Sequence, residues 1–249
     1  MKKLGLIGFP LGHSFSKKYY LEKFEQEDIQ DIDYDLYPIA AIPDFQQLYT
    51  ADERFYGFNV TIPYKQAVLS YIDQLSPEAL AMQAVNCIRI EKRAGKPFLI
   101  GFNTDAYGFE ESLKPLLKPI HKQALVLGNG GAAKAVLYSL KRLNIPFKVV
   151  SRSLSNGDLT YEQLEPALVE QHQLIINCSP LGTFPNVDEA PELPYESLGE
   201  NHLLYDLIYN PTETLFLKKG REQGAATKNG YEMLLLQAEK NWEIWNATA

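Results

Sequence analysis

Leu125-Val126-Leu127-Gly128-Asn129-Gly130-Gly131-Ala132-Ala133 reads as an apolar strand, a glycine turn and the opening of a helix. The spacing is G-x-G-x-x-A. In that pattern the first glycine permits the tight turn, and the second lets the backbone approach a pyrophosphate seated on the helix N-terminus. Glycines alone say little, but between a strand and a helix they mark a dinucleotide site. The competing reading is a glycine-rich turn that binds nothing. The next strand, Phe147–Val150, ends in Ser151-Arg152-Ser153. An NAD site carries an Asp or Glu about 20 residues past the glycines, to bind the ribose 2′-hydroxyl. None stands here. A guanidinium flanked by hydroxyls suits a 2′-phosphate instead. The residues therefore favour NADP(H), with an ordinary surface arginine as the alternative.

Outward from this stretch, strands and helices alternate. The second half runs strand Gln123–Leu127, helix Gly131–Leu143, strand Phe147–Val150, helix Tyr161–Val169 and strand Gln173–Asn177. After a proline-rich loop come strand Leu203–Asp206, helix Thr214–Gln223 and a last helix from Tyr231. The first half offers strands Leu4–Gly8, Ile32–Pro38, Gly57–Val60, Ala84–Glu91 and Phe98–Gly101, with helices Lys17–Glu27 and from Pro43. Helix Asp105–Leu117, capped by Asn103 or Thr104, links the halves. The expected fold is α/β with two domains, one with a mostly parallel sheet and one Rossmann-like.

The 249 residues carry a net charge of −7 and no run of five lysines and arginines, which argues against nucleic acid and anionic membrane as partners. Lys2 and Lys3 precede a short apolar stretch, but Gly8, Pro10 and Gly12 break it, so it reads as a strand and not a signal peptide. No segment approaches the ~20 apolar residues of a membrane helix. Cys87 and Cys178 form no CxxC pair, which suits core thiols in a reducing cytoplasm. The scattered histidines give no metal-site signal.

Several polar residues stand where strands should end. Ser14 and Ser16 follow the first strand. Asn59 lies inside an apolar strand, with Thr61 and Lys65 just past it. Asn86 sits between Val85 and Cys87, and Asn103-Thr104-Asp105 follows another strand. Each alone suits a turn or a cap. Together, at the carboxyl ends of strands in an open α/β sheet, they make a pocket for hydroxyls and a carboxylate.

At these residues the chain resembles the shikimate dehydrogenase family over nearly its whole length. The matching segments are Gly12-His13-Ser14-Phe15-Ser16, Phe58-Asn59-Val60-Thr61-Ile62-Pro63-Tyr64-Lys65, Ala84-Val85-Asn86 and Gly101-Phe102-Asn103-Thr104-Asp105-Ala106-Tyr107-Gly108. Gly128-Asn129-Gly130-Gly131-Ala132, Tyr205-Asp206-Leu207-Ile208-Tyr209, and Asn229-Gly230 leading to Leu236-Gln237-Ala238 complete the set. The resemblance implies interconversion of 3-dehydroshikimate and shikimate with NADP(H), on the route to aromatic amino acids. It implies Lys65 and Asp105 as the catalytic pair. Ser14, Ser16, Asn59, Thr61, Asn86, Tyr209 and Gln237 become substrate contacts, the serines holding the carboxylate and the asparagines, Lys65 and Asp105 the ring hydroxyls. Gly128, Asn129, Gly130, Gly131, Ala132, Ser151, Arg152, Ser153, Leu207 and Gly230 become cofactor contacts. It also implies a discontinuous substrate-binding domain, 1–105 plus 230–249, around a cofactor domain of 106–229, and a monomer or homodimer.

Two positions and one short stretch depart from the family pattern. Cys87 stands where threonine is usual, Ser151 where asparagine is common, and Leu154-Ser155-Asn156-Gly157 replaces a second basic residue past Arg152. The last removes one 2′-phosphate contact. Lys65 is placed to exchange the hydroxyl proton as its carbon exchanges a hydride. Burial and a neighbouring carboxylate push a lysine's protonation in opposite directions, so residue types leave its balance open. A quinate/shikimate dehydrogenase with relaxed cofactor use stays as an alternative, as does a ligand sensor without catalysis. The presence of both Lys65 and Asp105 weighs against the sensor.

Overall fold

Alternation along β1 (Lys2–Gly8) sends Leu4 and Leu6 to one face of a sheet and Ile7 to the other, and each face packs its own apolar cluster. The structure, a computed structural model, describes residues 1–12 and 14–247; His13, within the Gly12–Ser16 motif, lies outside the described residues. The chain forms two compact units. The first takes in Met1–Thr104 and the chain from Ala238 onward, the second Asp105–Gln237.

In the first unit, β1 is followed by α1 (Phe15–Gln26), β2 (Ile32–Pro38), α2 (Pro43–Ala51), β3 (Phe55–Val60) and α3 (Tyr64–Ala67). Then come β4 (Gln74–Leu75), α4 (Pro77–Met82), β5 (Cys87–Arg93) and β6 (Lys96–Phe102). The sheet order is β2-β1-β3-β5-β6-β4. β1 runs parallel to β2 and β3, and β4 to β6, while β5 is antiparallel to both neighbours. The reversal comes from a two-residue turn, Ala94-Gly95, whose φ angles are both positive (51° and 76°). Tyr20, Phe24 and Tyr34 pack one face of this sheet, together with Ala238 and Trp245 from the chain's last helix.

The second unit contains α5 (Asp105–Leu113), β7 (Ala124–Leu127), α6 (Ala133–Arg142), β8 (Phe147–Ser151), β9 (Leu159–Thr160) and α7 (Pro166–Gln171). It continues through β10 (Leu174–Asn177), β11 (Leu203–Asp206), α8 (Leu215–Glu222) and β12 (Ala226–Lys228) into α9 (Tyr231–Asn246), inside which the unit boundary falls. Its six strands are all parallel, in the order β12-β11-β10-β7-β8-β9. Val126, Ile176 and Tyr205 face α5 and α6, and Leu125, Ile175 and Leu204 face α7 and α8. Buried on both faces, these strands read as continuous apolar runs.

Three helices differ from expectation, two of them at a proline. The helix expected over Tyr161–Val169 is a 3-10 turn, Tyr161–Gln163, followed by α7. Pro166 clears its own missing N–H only at a helix start, and it holds Glu165 extended (φ −81°, ψ 155°). The helix expected over Asp105–Leu117 leaves the α-form at Leu113, and Lys114–Leu116 with Pro115 makes a 3-10 turn. The glycines before α6 stay outside it, so that helix starts at Ala133 and not at Gly131.

Candidate functional site

In the second unit the chain leaves β7 for β8 on one side, and β10 lies on the other. That reversal of strand order opens a crevice at the strands' carboxyl ends, the place where open α/β sheets bind ligands. A cleft of about 670 Å³ lies there. Gly128, Asn129 and Gly130 line it from the β7 turn, Ser151, Arg152 and Ser153 from the end of β8, and Cys178 to Leu181 from the end of β10.

Gly128 has φ +99°, and a Cβ there would stand 3.1 Å from the Ser179 backbone nitrogen. Its N–H donates to the Val150 carbonyl at 2.8 Å. The turn therefore needs glycine for conformation and for the close pass of the β10 loop. Gly130 and Gly131 face open space where a side chain would project. Gly131 and Ala132 lead into α6, whose N-terminus has no side-chain cap. Its first N–H groups and the open space fit a pyrophosphate.

The guanidinium of Arg152 is exposed, and among the described residues no ion pair engages it. Ser151 is buried; its hydroxyl donates to the Ser153 carbonyl at 2.5 Å and accepts the Ser153 N–H at 3.2 Å, so it shapes the turn that presents Arg152. Ser153 Oγ lies 2.9 Å from Ser155 Oγ. Asn129 Nδ2 donates to the Asn156 carbonyl at 2.7 Å, tying the glycine turn to the loop after β8. An anion binder with hydroxyl neighbours and no carboxylate among the lining residues fits a phosphorylated ribose. Asn156, Tyr161 and Cys178 to Leu181 also line the cleft, unannounced by any motif. They enter it through strand order, and no spacing along the chain shows that order.

Leu207 and Gly230 meet outside this cleft's lining. A Cβ on Gly230 would fall on the Leu207 carbonyl, and the Gly230 N–H donates to the Ile208 carbonyl at 3.0 Å. The turn after β11 is held by Asp206, a fully buried carboxylate. It accepts from Thr214 Oγ1 at 2.6 Å, from the Ile208 N–H at 3.0 Å and from Asn177 Nδ2 at 3.1 Å. Burial raises its pKa to about 6, against the opposing pull of those three donors. Tyr209, two residues on from Leu207, is exposed. Asp105 opens α5, and Gln237 is buried on α9, its Nε2 donating to the Leu234 carbonyl at 3.0 Å. These two helices touch at Gly108, where a Cβ would clash with the Met233 carbonyl and crowd Gln237.

In the first unit the expected polar residues gather at one end of the sheet. β1, β3 and β6 end there, and β5, being antiparallel, begins there, so Asn86 stands at the mouth of β5 instead of inside a strand. Asn59 and Asn86 are buried. Asn59 Oδ1 accepts from the Tyr34 hydroxyl at 2.8 Å, and Asn59 Nδ2 reaches the Asn86 carbonyl at 3.4 Å. Asn86 Oδ1 accepts the Thr104 N–H at 2.8 Å while Asn86 Nδ2 donates to Thr104 Oγ1 at 3.0 Å. Ser14 caps α1, its Oγ accepting the Lys17 N–H at 3.4 Å, and Ser16 lies in the first turn of that helix. The Thr61 N–H donates to the Ile7 carbonyl at 2.9 Å, joining the ends of β3 and β1. Lys65 lies in α3, whose entry is set by the Tyr64 N–H on the Thr61 carbonyl at 2.9 Å and by the Tyr64 hydroxyl on the Ile39 carbonyl at 2.8 Å. The Lys65 carbonyl accepts the Val85 N–H at 2.7 Å, which fixes the lysine's backbone against the residue preceding Asn86.

Residues 6–88 match the family described as the shikimate dehydrogenase substrate binding domain. A shikimate dehydrogenase (NADP(+)) of Desulforamulus reducens is 35% identical over 97% of this chain and 88% of its own. The crystal structure of shikimate 5-dehydrogenase from Thermus thermophilus, in complex with NADP(H) and shikimate, superposes with a TM-score of 0.82 at 30% identity, over 99% of this chain and 94% of that one. A ligand-free 5-ketofructose reductase of Gluconobacter sp. strain CHM43 also superposes at 0.82, at 28% identity over 100% of this chain and 94% of that one. No helix among the described residues is long and apolar enough to cross a membrane.

Proposed function

This chain belongs to the shikimate dehydrogenase family, and on that premise we propose that it interconverts shikimate and 3-dehydroshikimate with NADP(H). It is then an oxidoreductase acting on a CH–OH group, on the route to chorismate and the aromatic amino acids. One observation carries the reading furthest. The hydrogen bond from Val85 to Lys65 ties a lysine to the sheet end where two buried asparagines are held in fixed orientation. A basic group beside oriented amides is what an alcohol needs if it is to be held by its hydroxyls and relieved of a proton.

In this reading the second unit binds NADP(H), which supplies or accepts the hydride when bound. Lys65 and Asp105 are the catalytic pair. Lys65 takes the hydroxyl proton in oxidation and returns it in reduction, and Asp105 orients the exchange. Ser14 and Ser16 hold the carboxylate. Asn59, Thr61, Asn86, Tyr209 and Gln237 complete the substrate contacts. Gly128 to Ala132 receive the pyrophosphate, Arg152 with Ser151 and Ser153 the 2′-phosphate, and Leu207 and Gly230 the remainder of the cofactor. A reducing cytoplasm suits the two free thiols, Cys87 and Cys178.

The test is initial rates of the purified protein with shikimate and quinate, each paired with NADP⁺ and NAD⁺, and with 5-ketofructose and NADPH. Fast turnover is expected with shikimate and NADP⁺. Preference for quinate or NAD⁺, or turnover of 5-ketofructose alone, moves the protein to another activity within the same fold, and silence throughout with ligand binding intact makes it a sensor.

Arg152 supplies a sharper check on the cofactor. Arg152→Ala is expected to weaken NADP⁺ by about 1–3 kcal/mol, the worth of a charge-assisted contact, and to leave NAD⁺ nearly unchanged. Titration of both dinucleotides into parent and variant measures it. Equal losses for the two remove Arg152 from the 2′-phosphate.

A further inference from the structure

Behind the two asparagines lies a second set of polar groups. The Thr104 hydroxyl has one hydrogen, and Oδ1 of Asn241 takes it at 2.6 Å, so the same oxygen is left to accept from Asn86 Nδ2. Asn241 is wholly buried, on α9 and 137 residues along the chain from Thr104. Beside it on the same helix, the Ala238 carbonyl accepts the Tyr20 hydroxyl at 2.8 Å. On the other side the hydroxyl of the buried Tyr34 donates to Asn59 Oδ1 at 2.8 Å. The Thr104 N–H fixes Asn86 Oδ1 and the Asn86 carbonyl fixes Asn59 Nδ2, so neither amide can exchange its oxygen and nitrogen without losing a bond. Packing alone does not call for an amide at the Asn241 position, since a buried polar group yields little net stability over an apolar one of the same shape.

Resting on the reading of Asn59 and Asn86 as contacts for the substrate's hydroxyls, we infer that Asn241 and Tyr34 are positioning residues for shikimate. Asn241 orients Asn86 through Thr104, and Tyr34 orients Asn59. Without Asn241 the Thr104 hydroxyl loses its acceptor. The nearest remaining one is Asn86 Oδ1 at 3.3 Å, which already holds the Thr104 N–H. Turning toward it swings the hydroxyl's lone pairs away from Asn86 Nδ2 and weakens that anchor, and the amide offered to substrate loses its fixed direction.

The test compares Asn241→Leu and Tyr34→Phe with the parent in steady-state oxidation of shikimate by NADP⁺. Each variant is expected to raise the shikimate KM by about tenfold, the worth of one oriented hydrogen bond. Binding lost equally from ground and transition states leaves kcat within about twofold. The NADP⁺ KM is expected to stay at the parent value, which a general loosening of the fold would not allow. Tyr34→Phe removes one oxygen and no carbon, so it carries the test if Asn241→Leu does not fold. An unchanged shikimate KM in the folded variants, or equal damage to both substrates, overturns the positioning role. A parent inactive on shikimate overturns instead the functional reading beneath it.

Discussion

Replacing Lys65 with alanine is expected to lower kcat by about 10²–10⁴-fold, the usual contribution of a positioned proton-transfer group. NADP⁺ affinity is expected to remain at the parent value, and shikimate affinity nearly so. Hydride departure leaves an oxygen that must shed its proton, and in the proposed reading Lys65, just past β3, takes it. Three constraints outside the lysine side chain hold it: the Thr61–Tyr64 turn, the Tyr64 hydroxyl on the Ile39 carbonyl, and the Val85 N–H on the Lys65 carbonyl. Alanine keeps all three, so the loss reports the amine and not the scaffold. Single-turnover rates with saturating ligands, alongside equilibrium titration of each ligand, separate the two effects. Turnover at the parent rate takes Lys65 out of the mechanism.

Asp206 gives the second large effect, and it concerns stability. Its carboxyl is free to ionise near the ordinary value, about 3.9, when the chain is unfolded. Burial raises it to about 6 in the fold. A raised pKa means that the folded state holds the proton more tightly. This contribution to stability is therefore fully present below about pH 4 and is lost as pH rises through about 6. A rise of about two in pKa corresponds to about 3 kcal/mol. Asp206→Asn keeps the shape and an acceptor for the Ile208 N–H and Asn177 but removes the titration. Urea unfolding of parent and variant from about pH 4 to 7 is expected to show the parent losing about 3 kcal/mol relative to the variant across that range. Carboxylates held low by neighbouring cations, such as Asp35 beside Lys17, act in the opposite direction but cancel in the difference. A difference flat with pH contradicts the assignment.

Much of the architecture is legible in the chain itself, because burial on two faces leaves long apolar runs and burial on one leaves alternation. The Ile32–Pro38 and Leu203–Asp206 strands end where their patterns end. The antiparallel course of β5 is another matter. Periodicity is the same in either direction, and the reversing turn is Ala94-Gly95, with alanine in a conformation that asparagine more often takes. β4, β9 and β12 span two or three residues each, too short for any period to register. The candidate sites divide along the same line. Asn59 is conspicuous because an amide in an apolar strand needs a partner, whereas Tyr34, the partner, looks like any core aromatic. The glycine turn and Arg152 announce themselves by spacing, but the opposite wall of the cleft, Cys178 to Leu181, does so only once β10 is seen beside β7.

The path of α9 has a consequence for how the protein is made. The ribosome releases β1 to β6 first, then all of Asp105–Gln237, and only then the segment with Ala238 and Trp245 that covers Leu4, Tyr20 and Tyr34. Until that segment emerges, that face of the first unit's sheet is covered only in part, by α1, and the Ile88 carbonyl lacks the indole N–H that later meets it at 2.9 Å. The second unit is continuous and can close as soon as its own residues are out. The second unit can thus close before the first is complete, with part of an aromatic surface waiting in the interval for the segment from Ala238.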